Sequence, residues 1–351
     1  MKNLQNNFLN TLSKEKSEHI SVYCTGFPEI EFIKNYNKKF GLSSNLSDLI
    51  LLQRDYNTIK QIGFDAVSIW DFRRGEGGYK LDADKRVDSW GRIYRREWYL
   101  WDGVFKSEKI IDNWKHLTLP SLENLKELEG FLQKLNHQFN VVLSLPGLFE
   151  KTWQSMGFLY FSKCLKKNID FIKYVITFFN TYLKKLIKKL QGAGTTLFLI
   201  ADDYGYKERT FLPNRLYREL FFNDYKDIIS QIHQQDHKII IHSDGYISEL
   251  IDTFIELDFD AVQSLEPNAG VDISSLFKKF NSQICFIGNL DLSLLIYGNQ
   301  NDIKHYTLDL IKNANKYDAL LIVSPTQQIN SRVLPENVKT MIETTKNYKH
   351  L

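Results

Sequence analysis

Three cysteines are all that 351 residues contain, and Cys24, Cys164 and Cys285 stand far apart with no CxxC or CxC pair. Their odd number and wide spacing argue against a disulfide framework and suit a reducing compartment. One-signed charge is also missing. The 45 basic and 42 acidic side chains, net +3, run along the whole chain without the dense basic block of a phosphate-backbone binder, so no nucleic-acid partner is expected. No apolar run approaches the length of a membrane span, and the polar start MKNLQNNFLNTLSKEK lacks the h-region of a signal peptide. The expectation is a cytoplasmic chain with no membrane partner. The basic stretch LKKLIKKLQ (183 to 191) continues a periodic segment from Phe158 onward, so it reads as the solvated face of a helix packed on a core. No GxGxxG stands at a strand-to-helix turn, which removes the Rossmann fingerprint.

What the chain does have is 43% hydrophobic content arranged in eight short apolar runs. They are HISVYC (19 to 24), AVSIWD (66 to 71), VVLSLPG (141 to 147), TLFLIADD (196 to 203), KIIIHSD (238 to 244), AVQSLEP (261 to 267), ICFIGNLD (284 to 291) and ALLIVSP (319 to 325). Segments of helical periodicity lie between most of them. Strands apolar on both faces that alternate with helices imply a parallel sheet, and eight units close most economically into a (β/α)8 TIM barrel of the α/β class. The reading is a single domain over residues 1 to 351, with 1 to 18 as an N-terminal extension.

Polar residues stand where the runs stop: Thr25, Asp71, Asp202 with Asp203, His242 with Asp244, Glu266, Asn289 with Asp291, and Ser324. A barrel gathers such ends on one rim, where its active sites are built. Several carboxylates on one rim repel one another unless a ligand, proton or cation offsets them. His242 and Asp244 are two apart on one strand face, so the carboxylate can orient the ring. Of the neighbours Asp202 and Asp203, which point oppositely, one should face the mouth while the other caps the next helix. Glu266 is placed to donate a proton, and Asn289 and Asp291 share a face. His242, Asp244 and Glu266 together offer nitrogen and oxygen ligands to zinc. The stretch WDFRRGEGGY (70 to 79) reads as a mobile substrate loop carrying Arg73 and Arg74.

The stretches 202 to 229 (DDYGYKERTFLPNRLYRELFFNDYKDII), 240 to 280 and 284 to 291 resemble the uroporphyrinogen decarboxylase superfamily, which includes porphyrinogen decarboxylases and cobalamin-dependent methyltransferases. The resemblance implies the same barrel. It makes Asp71 the counterpart of the decarboxylases' central aspartate, and Trp153 that of the tyrosine facing the macrocycle. Gln327, Gln328 and Ile329 stand for a C-terminal His-Gly-Ile. The decarboxylases' arginine-bearing MRQAGRY-like stretch has no counterpart here. The methyltransferases' His-x-Cys zinc pair reads His242 and Asp244, and the stretch for their last cysteine reads SPTQQ. The expected catalytic set is His242, Asp244, Glu266 and Asp71. Arg73, Arg74, Trp153, Asp202, Asp203, Tyr204, Asn289, Asp291 and Gln327 are expected to bind substrate. The expected activity is methyl transfer between a small methylated substrate, such as a methoxylated aromatic, and a corrinoid on a partner protein, with no tightly bound cofactor. Decarboxylation of uroporphyrinogen or a related acid, and a barrel that only binds a ligand, are the alternatives.

Overall fold

Aliphatic runs buried on both faces can satisfy their backbone only by pairing on both sides, and each of the eight does so. The computed structural model describes residues 4–15, 17, 19–42, 56–70, 77–135 and 140–348. Strands β1 (Tyr23–Cys24), β2 (Ala66–Ile69), β3 (Asn140–Pro146), β4 (Leu197–Ala201), β5 (Lys238–Ser243), β6 (Ala261–Ser264), β7 (Cys285–Leu290) and β8 (Leu320–Pro325) form one sheet in chain order. Every adjacent pair is parallel. Val22 bridges Val323 in parallel and the Val323 N–H donates to the Ser21 carbonyl at 2.9 Å, which closes the sheet on itself. The expected (β/α)8 barrel is what forms.

Helices make the outer layer. In Ile169–Gly192 the basic stretch turns Leu183, Leu186, Ile187 and Leu190 inward, so its apolar face packs on the core as its periodicity implied. Among the described residues, no helix is long and apolar enough to cross a membrane.

Two features go beyond the strand count. Residues expected to form an extension contain the helix Leu4–Leu12, whose Phe8 and Leu12 are fully buried against barrel-floor residues including Tyr23, Val142, Leu199 and Ile240. Phe8 stacks on Tyr23 with ring centroids 6.1 Å apart, so this helix stoppers the end of the barrel away from the strand carboxyl ends.

The second feature is a four-stranded antiparallel meander between β2 and β3, made of Gly78–Lys80, Lys85–Asp88, Arg92–Arg95 and Trp98–Gly103. The end of the stretch read as a mobile loop is thus a strand, while Asp71, Arg73 and Arg74 lie outside the described residues. Trp101 stacks on Trp153 at 5.3 Å, and the Phe105 N–H donates to the Ser155 carbonyl at 2.9 Å. Gly103 is required here, because a Cβ at that position would sit 2.0 Å from the Ser155 carbonyl oxygen.

Candidate active site

Asp202 and Asp203 follow β4 and do point oppositely. Asp202 is fully buried and accepts hydrogen bonds from the Phe149 N–H (3.0 Å), the Glu150 N–H (2.7 Å) and the Tyr225 hydroxyl (2.5 Å). It therefore caps the helix Leu148–Met156, which follows β3 rather than β4. Burial pushes its carboxyl up to about 7, with the Tyr225 hydroxyl and the Glu150 N–H opposing. Gly147 leaves room for it, since a Cβ there would lie 2.1 Å from the Asp202 Cγ. Asp203 faces the barrel mouth, and its Oδ1 accepts the Asp244 N–H at 2.9 Å.

His242, at the end of β5, is buried, and its Nδ1 is hydrogen-bonded to the Gln263 Oε1. Gln263 is held from behind. Its Nε2 donates to the Thr25 Oγ1 at 2.8 Å and to the Thr326 carbonyl at 3.4 Å, while the Thr25 hydroxyl donates to the Pro325 carbonyl at 3.2 Å. This relay orients the amide oxygen toward the ring, so Nδ1 is the donor. Nε2 is then left facing the Asp244 Oδ1 at 3.6 Å and the Asp203 Oδ1 at 4.0 Å. Trp70 packs edge-on against the imidazole, with centroids 5.1 Å apart. Ligating atoms of Asp203, His242 and Asp244 all lie within 4.8 Å of one another. Three lone-pair donors converging on one point invite a proton or a cation. Burial above all pushes the Asp203 carboxyl up; His242 opposes and Asp244 adds to the rise.

Glu266 stands outside this cluster, which corrects the expected His242, Asp244, Glu266 ligand set. Its carboxylate is occupied by the Gly245 N–H (2.7 Å) and the Gln327 side-chain amide (2.8 Å), and Asp203 takes its place. Burial first, and Asp244 next, push the Glu266 carboxyl up.

The triad opens into a cavity of about 520 Å³, within the range of small-molecule sites. Trp70, Trp90, Arg92, Glu150, Lys151 and Gln327 also line it. One amide ties the far side together: Gln154 Oε1 accepts from the Lys151 Nζ (3.1 Å) and the Arg92 Nη1 (3.2 Å), and Gln154 Nε2 donates to Glu150 at 2.5 Å. Burial pushes the Glu150 carboxyl up and the Lys151 ammonium down.

The sequence model for "Uroporphyrinogen decarboxylase (URO-D)" matches residues 148–348, more than half of the chain. The chain belongs to the uroporphyrinogen decarboxylase family. Its fold is similar to that of a methyltransferase from Methanosarcina mazei, with a TM-score of 0.71 over 98% of each chain at 14% identity. A B12-independent methionine synthase from Shewanella sp. W3-18-1 matches with a TM-score of 0.47 at 13% identity, over 81% of this chain and 83% of that one. No curated protein matches the chain significantly.

Within this family member the rim gathers only part of what the strand ends suggested. His242, Asp203, Asp244 and Gln327 meet at the cavity. Among the described residues, five that were expected to bind substrate do not line it. Trp153 is buried beneath Trp101, and Tyr204 stacks on Phe149 at 5.6 Å inside the helical layer. Asn289 is buried, donating to the Leu265 carbonyl at 2.5 Å and accepting from the Tyr306 hydroxyl at 2.7 Å. Asp291 caps the helix Leu292–Tyr297 through the Ser293 N–H at 2.7 Å. Asp202, in turn, is taken up by its cap. Strand-end reasoning missed Arg92, Glu150 and Lys151, which come from the meander and from a helical first turn. The signal available for the latter two was the EK pair directly after VVLSLPGLF.

Proposed function

We propose that this chain is a methyltransferase of the uroporphyrinogen decarboxylase family. It moves a methyl group between a small methylated substrate in the cavity and a corrinoid carried by a partner protein. The observation that carries the reading is the convergence of Asp203, His242 and Asp244 on one point at the cavity floor. Methyl transfer from an oxygen or nitrogen leaves charge on the departing atom, which a proton or Lewis acid must neutralise. Gln263 fixes the imidazole so that a proton on Nε2 is directed at that atom, and the carboxylates of Asp203 and Asp244 stabilise the positive charge that this proton places on the ring. The donors are one nitrogen and two carboxylate oxygens, a set that fits zinc; a bound zinc would supply the Lewis acid. A cavity of about 520 Å³ suits a small substrate, so the corrinoid is expected to be presented at the mouth by its partner.

Decarboxylation is the second reading, favoured by the cations Arg92 and Lys151 in the cavity wall. Against a substrate bearing many carboxylates stand the carboxylates of Asp203, Asp244 and Glu150 in the same cavity.

The deciding experiment offers the purified chain, with and without added zinc, a panel of methyl donors and reduced cobalamin. The visible spectrum reports methylcobalamin. Methylation is expected with wild type, and a loss of about a hundredfold or more with His242→Ala. The Asp203→Asn chain should also retain less zinc after dialysis. Release of carbon dioxide from uroporphyrinogen, with no methylcobalamin from any donor, would replace this reading by the second one.

A further inference from the structure

Apart from Glu150, which stands beside Lys151, the two signs of charge enter the cavity from different elements. The triad's carboxylates come from the ends of β4 and β5, whereas both cations come from outside the barrel sheet: Lys151 from the helix Leu148–Met156 and Arg92 from the meander. An indole backs each set. Trp70 packs on His242, and the Lys151 ammonium lies over the Trp90 ring, 5.7 Å from its centroid. The two cations differ in how far they are neutralised. Arg92 is paired with Asp88 at 2.7 Å. Lys151 has the neutral Gln154 oxygen as its hydrogen-bond acceptor, and that oxygen is shared with Arg92. Among the described residues, no carboxylate oxygen comes within ion-pair reach of the Lys151 Nζ. A lysine that lines a cavity with three donors and one shared neutral acceptor is under-satisfied, and burial makes that costly.

We propose that Lys151, with Arg92 beside it, forms an anion subsite for a carboxylate on the substrate whose other end reacts at His242. This assignment rests on reading the cavity as the substrate site. It restricts the substrate to a molecule carrying an oxyanion in addition to its methyl group, and it gives the cations an anchoring role in which the carboxylate is retained. Gln154 positions both cations by accepting from each.

The test is calorimetric titration of the full chain with benzoate and with benzamide, a near-isosteric pair that differs in charge. Wild type should bind benzoate about tenfold or more tightly than benzamide, the effect of a hydrogen bond to a charged group. Lys151→Met should remove that preference and leave benzamide unchanged, while Lys151→Arg should keep most of it. Equal affinities in wild type, or a benzoate affinity indifferent to Lys151→Met in a chain with an unaltered circular-dichroism spectrum, would overturn the subsite. The wild-type comparison decides even if a variant fails to fold. Absence of methyl transfer with the benzoate preference intact counts against the reaction and supports the subsite. Methyl transfer without that preference counts against the subsite alone.

Discussion

His242 depends on a residue that never reaches the cavity. Gln263 is fully buried, and its amide ties the imidazole to Thr25 and to the Thr326 carbonyl. Replacing Gln263 by Leu preserves bulk but leaves Nδ1 and the Thr25 oxygen without this partner. The expected cost is about 1–3 kcal/mol of stability from the unsatisfied buried groups. Turnover should fall much further than substrate affinity, because the ring loses its orientation and not the pocket its shape. Denaturant titration and a comparison of kcat with KM check this; a Gln263→Leu chain with normal kcat would show that His242 needs no orienting partner. The sequence displayed His242 and Asp244 because strand alternation puts them on one face, and it displayed Asp203 as one of two opposed neighbours. Gln263 was not legible. It lies inside the AVQSLEP run, where a single polar residue gives no hint of what it will meet across the barrel.

Elements explain the other gaps. The eight strands were legible because each needs only a short aliphatic run with a polar stop. The meander was not, since its strands are short and poorly buried, each carries at least one charged residue, and they pair with one another apart from one bridge between Asp102 and Gly157. Arg92 entered the site unannounced for that reason. At the other end of the barrel, the helix Asn214–His233 is fastened by its last residue. The His233 ring reaches the Asp260 Oδ2 at 3.0 Å and the Asp258 Oδ2 at 3.4 Å, and Lys238 lies 3.6 Å from the Asp260 Oδ1. The hydrogen bond to Asp260 raises the pKa of His233 above 6.5, with burial opposing and Asp260 and Asp258 adding charge. A histidine whose folded pKa is raised contributes stability that is fully present below its unfolded value and is lost as pH rises through its folded value. Urea midpoints should therefore decline as pH rises above 6.5, and His233→Gln should flatten that decline. An identical pH dependence in the two chains would mean that the clamp carries no proton-linked stability.

On the scale of the whole molecule, the barrel is closed at two places with little material. A β1 of two residues completes the ring with a bridge at Val22, and the helix Leu4–Leu12 seals the floor with Phe8 and Leu12. Phe8→Ala should cost about 3–5 kcal/mol, the penalty of emptying a buried aromatic site. KM should be unchanged, because the helix lies at the end opposite the site; guanidinium denaturation and steady-state kinetics read the two effects separately. That helix escaped the sequence reading because its buried apolar side chains, Phe8 and Leu12, stand in a short and mostly polar stretch that leaves only a faint periodicity. Its position bears on the order of events during turnover. With the floor stoppered, the small substrate and the partner protein proposed above would both approach from the strand carboxyl ends. Whatever comes to rest at His242 has to arrive before a larger partner covers the mouth, and it can leave only after that partner withdraws. Binding should therefore be sequential with a compulsory order, the small substrate first. The larger reactant alone should act as a dead-end inhibitor that competes with the small one for entry.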